Sequence, residues 1–148
     1  MRTDDGLRVI EFNCRFGDPE TQSLLPRLES DLLPLLAGDL SQQPEVASRA
    51  AVTVVVSGGE YPERSDQGTP IEGIEAAEAT GALVFHAGTA LRGDRLVTNG
   101  GRILNVTALA GTVVEARERA YRACELISFD GMRYRRDIAV ERGIRAVQ

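Results

Sequence analysis

The sequence has no tryptophan, one histidine and two cysteines, and each shortage removes a class of function. With aromatics at 5% there is little from which to build stacking platforms for nucleic-acid bases. A net charge of −5 supplies no basic stripe for backbone phosphates, so nucleic acid is not an expected partner. Cys14 and Cys124 form no C-x-x-C pair, and His86 alone cannot complete an ordinary cysteine–histidine zinc site. Two free thiols without a leader segment point to a reducing cytoplasm. No apolar run reaches the roughly 18 residues of a membrane span, so no membrane association is expected. What is present is ordinary globular material, 148 residues at 43% apolar and 26% charged, enough for one core or for a domain and part of another.

Asp4-Asp5-Gly6 is a tight-turn signal, with residues 1–3 as the end of one strand and residues 7–16 as its hairpin partner, so the chain is expected to begin in mid-domain. Asp18-Pro19-Glu20 has the order of a helix start: a capping carboxylate, proline at the first position and an acid at the positive end of the dipole. Leu24, Leu25 and Leu28 then face a core. "SDLLPLLAG" predicts a second short helix stopped by Gly38, and residues 39–48 read as a polar linker.

From Ala50 onward the texture is β. Residues 50–57 read as a buried strand, and "GEYPERSDQGTPIEG" as a long loop. Three strands follow between Ala82 and Ala110, with turns at Arg92-Gly93-Asp94 and at Asn99-Gly100. Thr112 and Glu115 form a capping box before an amphipathic helix over 112–127, with Val113, Ala116, Ala120, Cys124 and Ile127 on one face. The tail, 132–148, is basic, extended at first and then helical. The expected class is α+β, with a small antiparallel sheet packed with a helix, in two units spanning 1–40 and 41–148.

Alternation in "VIEFNCRFGDPETQ" sends Ile10, Phe12, Cys14 and Phe16 to one face and Glu11, Asn13 and Arg15 to the other. The first set reads as a core face, with Cys14 a buried thiol. In the second, Glu11 and Asn13 lie about 7 Å apart along the backbone, at roughly 3.3 Å per residue. A carboxylate and an amide at that spacing can converge on one Mg²⁺, while phosphates supply further ligands. Arg15 can clamp a phosphate or carboxylate. A solvated strand face has the same spacing, and spacing alone favours it. Elsewhere the plainer readings prevail. Ser57-Gly58-Gly59 lacks the G-K-[ST] of a phosphate loop, His86 has no adjacent nucleophile, and Arg133, Arg135 and Arg136 suit an ion-paired or solvated strand.

The continuation alters that balance. "EFNCRFGDPETQ" resembles the end of the ATP-grasp domain of the glycinamide ribonucleotide synthetase (phosphoribosylamine–glycine ligase) family. "SGGEYP", with Glu60 inserted between glycine and tyrosine, is similar to that family's Gly-Gly-Tyr-Pro stretch. "VFHAGT", "TNGGRILNVTALA", "AYRA" and "YRRDI" then match its C-terminal domain in order. The resemblance implies residues 1–40 as the terminal strand and helices of an ATP-grasp domain and 41–148 as the ligase's C-terminal domain. It implies ATP-dependent joining of glycine to 5-phosphoribosylamine through glycyl phosphate, in purine synthesis, with Mg²⁺ or Mn²⁺ as the metal. Glu11 and Asn13 carry over as metal ligands, Arg15 as a catalytic residue, and Gly17, Asp18 and Glu20 as substrate-binding residues.

Only the C-terminal third or so of the family's chain is covered. The expected consequence is a piece inactive alone, able to pair with the missing N-terminal part or to self-associate through exposed strand edges. A sister ATP-grasp ligase and a non-enzymatic assembly module are the alternatives. "GDPETQ", "HAGT" and "TNGGR" speak against the sister ligase.

Overall fold

The computed structural model describes residues 2–3, 5–39, 41 and 43–140. A short hairpin, β1 (Arg2–Thr3) with β2 (Gly6–Leu7), leads through an irregular stretch to α1 (Glu20–Leu24), a 3-10 turn (Leu25–Arg27) and α2 (Leu32–Leu36). Then come β3 (Ala50–Ser57), β4 (Asp66–Pro70), α3 (Ile74–Glu78) and β5 (Leu83–His86). β6 (Thr89–Arg92), β7 (Arg95–Gly100), β8 (Arg102–Ala110) and α4 (Val113–Cys124) complete the elements of the described residues. The larger strands make two antiparallel three-stranded sheets, ordered β3-β8-β5 and β4-β7-β6. The class is α+β, as expected.

The core sits between α4 and one face of the first sheet. Val52, Val54 and Val56 stand opposite Ala108, Val106 and Leu104 across β3 and β8, which makes that face wholly apolar. Helix α4 packs on both strands and brings Ala116, Ala120, Ala123 and Cys124, all fully buried. Short side chains let the helix axis lie close to the sheet, so the volume is filled by the sheet's valines and leucine. The helix starts where the capping box placed it, with Thr112 Oγ1 accepting from the Glu115 N–H at 3.2 Å. Ile127 is buried just past its end, whereas Val113 does not join the core.

The other face of the sheet is polar where α1 meets it. Thr53 and Thr107 are cross-strand partners. Their hydroxyls lie 2.7 Å apart, and Ser23 of α1 extends the chain to Thr53 at 2.6 Å. Leu24 is about half exposed and α1 has no fully buried side chain, so the expected leucine face of this helix does not form. Helix α2 does form as expected: Asp31 accepts from the Leu33 N–H at 2.9 Å, and Gly38 takes the left-handed φ of +89° beyond its end.

Other expectations are corrected. The strand over residues 7–16 stops at Leu7. The hairpin is present, with Arg2 opposite Leu7, but among the described residues no strand flanks 8–16 to take up its backbone hydrogen bonds. Its supposed core face is therefore in solvent: Ile10 is 71% exposed, Phe12 is 86% exposed, and Cys14 is exposed rather than buried.

The long loop contains β4, hidden in the sequence by Gly68 at φ +87° and by Pro70, where the pairing with β7 shifts register. Four strands, not three, follow Ala82. The Gly93-Asp94 turn joins β6 to β7 as expected, but Asn99 and Gly100 lie inside β7, and Gly101 carries the chain straight into the other sheet. The glycine is required there by close approach: a Cβ on Gly100 would meet Gly88 Cα at 2.9 Å.

The tail is strapped to α4. Ser57 and Arg133 exchange two backbone hydrogen bonds, of 2.8 and 2.9 Å. The Tyr121 hydroxyl donates to Arg135 O at 2.6 Å and accepts from the Ile138 N–H at 3.1 Å. Arg117 donates to Ile138 O and Arg136 O and lies over the Tyr121 ring. Arg135 pairs with Asp137, which fits the ion-paired reading of the tail. Residues 132–140 hold no helix, and the rest of the tail expected to turn helical, 141–148, lies outside the described residues.

Two stability predictions follow from these faces. Leu104→Ala should cost about 3 kcal/mol in urea unfolding, and Leu91→Ala, on an exposed position, less than about 0.5 kcal/mol. Thr53→Val should cost about 1–3 kcal/mol by stranding the buried Thr107 hydroxyl, and the double variant Thr53→Val/Thr107→Val should recover part of that loss. A double variant less stable than the sum of the two singles would contradict the hydroxyl chain.

Candidate active site

The residues expected to carry chemistry fall into two groups. Glu11, Asn13 and Arg15 lie on the exposed irregular stretch. Asn13 Nδ2 donates to Glu11 Oε1 at 3.2 Å, so the two are side by side, while Arg15 Nη1 turns to its neighbour's carbonyl, Phe16 O, at 3.2 Å. The pair offers two hard oxygens, the Glu11 carboxylate and, once the amide turns, the Asn13 carbonyl. That donor set suits a Mg²⁺ ion that takes its remaining ligands from phosphate and water. Among the described residues no group of three or more His, Cys, Asp or Glu side chains converges as a metal cage.

Gly17, Asp18 and Glu20 are anchored. Gly17 is buried, and its carbonyl accepts from both the N–H and the hydroxyl of Thr21. The Glu20 carboxylate lies where a Cβ on Gly17 would be, so a larger residue there would displace that side chain. Asp18 does not cap α1, contrary to the expectation. Pro19 occupies the cap position without a side-chain bond, because the Asp18 side chain is engaged across the molecule by β8. Asn105 Nδ2 donates to Asp18 Oδ1 at 3.0 Å. Arg102 donates from Nη1 to the Asp18 carbonyl at 2.8 Å and places Nη2 3.4 Å from Oδ2.

Arg102 and Asn105 are functional candidates that the sequence reading passed over inside "TNGGRILNVTALA". The available signal was two strongly polar side chains in a largely apolar strand. Three residues apart, they would point to opposite faces of a regular strand. The pairing runs Val55 with Asn105, Val56 with Leu104, then Ser57 with Arg102. This one-residue bulge lets both side chains reach Asp18. Asn105 is fully buried and its Oδ1 has no protein partner, so the amide is held by the Asp18 carboxylate alone.

Two clefts open beside this clasp. One, of 510 Å³, is lined by Asp18, Tyr61, Arg64, Gly88, Gly101 and Arg102. The other, of 550 Å³, is lined by Pro19, Val55, Tyr61, Arg133, Tyr134 and Ile138. Tyr61 belongs to both, its ring against Gly101. Partial burial raises the Tyr134 hydroxyl above its ordinary pKa, and it stays protonated at neutral pH. Burial pushes the Cys124 thiol up to about 12, which leaves it unreactive. His86 meets only the Thr89 hydroxyl, at 3.0 Å, in keeping with a structural histidine.

Comparison with known proteins places this geometry. A phosphoribosylamine–glycine ligase of Vibrio cholerae is 48% identical over 145 residues, which is 95% of this chain and 33% of the relative. One of Streptomyces coelicolor is 47% identical over 94% of this chain and 36% of its own. The crystal structure of phosphoribosylamine–glycine ligase from Thermotoga maritima superposes with a TM-score of 0.75 at 34% identity, covering 93% of this chain and 34% of that one. The chain thus spans about a third of the length of the curated relatives it matches. Residues 51–141 match the family model for the phosphoribosylglycinamide synthetase C domain, and the chain belongs to that family.

Proposed function

We propose that this chain supplies the C-terminal part of a phosphoribosylamine–glycine ligase. Residues 1–40 would close the ATP-grasp unit, and 41–148 would form the C-terminal domain. What carries the reading is likeness along nearly the whole chain to ligases of that name, running through the segment that holds Glu11, Asn13 and Asp18. The reaction joins glycine to 5-phosphoribosylamine at the expense of ATP. The glycine carboxylate attacks the γ-phosphorus, ADP leaves and glycyl phosphate forms. The amine of phosphoribosylamine then attacks the acyl carbon and phosphate departs.

Glu11 and Asn13 would hold Mg²⁺ or Mn²⁺, which when bound offsets charge on the transferring phosphoryl group. Arg15, released from Phe16 O, has the fork geometry to orient a phosphate or carboxylate. Gly17, Asp18 and Glu20 would border the small substrates. The setting is cytoplasmic, and no helix among the described residues is long and apolar enough to cross a membrane.

The exposed row of Ile10, Phe12 and Phe16 behind Glu11 and Asn13 supports a further part of the reading. An apolar face of this kind calls for a covering layer, and here that layer would be the rest of the ligase. Alone, the chain should make no glycinamide ribonucleotide from ATP, Mg²⁺, glycine and phosphoribosylamine. Supplied in trans with the preceding two-thirds of the Vibrio cholerae relative, it should turn over. In that mixture Glu11→Gln should lower kcat at least about 100-fold and raise the Mg²⁺ requirement. Turnover by the chain alone would refute its dependence on the remainder. A reconstituted complex without turnover, or one indifferent to Glu11→Gln, would remove the ligase reading, and a stable homodimer of the chain would favour the assembly alternative.

A further inference from the structure

Residues 10–16 hold an apolar row in solvent, and among the described residues no strand pairs with their backbone. Unpaired backbone beside exposed Ile10, Phe12 and Phe16 is the kind of edge to which a further strand adds. The other face selects the partner. Glu11 and Arg15 stand on either side of Asn13 at equal spacing, so the charge pattern reverses about that residue. An antiparallel second copy centred there sets Glu11 opposite Arg15 twice, Asn13 opposite Asn13, and Ile10 opposite Phe16.

Other alignments are poorer. Centring on Glu11 or on Arg15 puts like charges opposite each other, and so does a parallel copy in register. Centring on Phe12 or on Cys14 leaves Glu11 and Arg15 with no opposite charge across from them. A slip of one residue sets the apolar row against the polar one.

The ends of the stretch suit this pairing. β2 stops at Leu7, and at the other end Asp18 is already clasped by β8. Antiparallel strands place the two clasped cores at opposite ends of the ribbon, which keeps them apart. The bend at Cys14 and Arg15 has to extend, releasing the Arg15 bond to Phe16 O and the Asn13 bond to Glu11. Both bonds are local and exposed, so exchanging them for cross-strand partners costs little.

We propose that residues 10–16 are a homotypic docking strand, through which two copies of this chain pair antiparallel about Asn13, held in register by two Glu11–Arg15 contacts. The inference goes beyond the ligase reading, in which the preceding part of the ligase takes the same strand, so the two occupants compete.

Sedimentation equilibrium of the chain should show a monomer–dimer exchange that added salt weakens, since the paired charges are exposed. Glu11→Arg and Arg15→Glu should each raise the dimer dissociation constant about tenfold, because each sets like charges opposite at two places. The two variants mixed should form a heterodimer as tight as the unaltered pair, and Glu11→Arg/Arg15→Glu should pair with itself equally well. Misfolding would not produce that rescue. In a Cys14→Ser background, Asn13→Cys should cross-link on copper–phenanthroline oxidation, because directly opposite residues lie within disulfide reach. Phe12→Cys in the same background, offset diagonally by about 7–8 Å, should not.

A monomer at every concentration, a dimer indifferent to the single charge variants, or no heterodimer from their mixture would overturn the proposal. Cross-linking through Phe12→Cys in place of Asn13→Cys would do the same. Adding the preceding two-thirds of the Vibrio cholerae relative separates this inference from the ligase reading. Turnover with a chain that is monomeric on its own removes the self-pairing alone. A charge-specific dimer that the added part neither displaces nor activates supports the self-pairing and removes the ligase reading.

Discussion

Strand β8 is hydrogen-bonded along both edges, to β3 and to β5, and a slip of one residue would exchange its two faces. Leu104, Val106 and Ala108 now meet α4, while Asn105 and Thr107 face α1 and the segment before it. After a slip, Asn105 and Thr107 would be pressed against the alanines of α4 with nothing to accept from or donate to. Each stranded polar group costs about 1–3 kcal/mol. The polar residues of β8 therefore fix the register that the apolar ones, being similar to one another in shape, would leave loosely defined.

The same polar face seats a distant piece of chain. Residues 18 and 105 are 87 apart in sequence. Contact between them is directional: an amide, a guanidinium and a row of three hydroxyls, with no leucine of α1 fully buried against the sheet. An apolar seat would hold α1 by area and tolerate sliding. A hydrogen-bonded seat holds Asp18 at one place. The bulge at Arg102 completes the arrangement, since without it one of the two donors would point into the core.

How far this was legible in the sequence differs by element. Residues 50–57 and the helix after Thr112 were plain, because each has one period and one clear boundary signal. The Gly93-Asp94 hairpin was equally plain. β4 was not, since Gly68 and Pro70 are poor strand formers that the pairing with β7 tolerates beside a register shift. Asn99-Gly100 misled because glycine serves a turn and a close backbone approach alike, and only the fold shows Gly88 lying against it. For the candidate site, local motifs pointed to Glu11, Asn13 and Asp18, and the structure sets Glu11 beside Asn13 and ties Asp18 to β8. Arg102 and Asn105 were out of reach, because their roles depend on a long-range contact and on a bulge that no local pattern announces.

Asp18 and the pair Glu11 and Asn13 differ in what holds them. Five residues separate Asn13 from Asp18, so an extended chain allows a span of up to about 17 Å between them. Among the described residues no strand pairs with the stretch from Val9 to Phe16, and its apolar side chains are in solvent. Asp18, by contrast, is bound on three atoms by β8. The part of the site that faces the 510 Å³ cleft is thus built by this chain's own core. A neighbouring strand that paired with this stretch would cover Ile10, Phe12 and Phe16 and fix Glu11 and Asn13 in place. Covering those side chains and placing Glu11 and Asn13 are one event, because alternation along a single paired strand does both. A strand pairing there would therefore set Glu11 and Asn13 beside a carboxylate that is already in place.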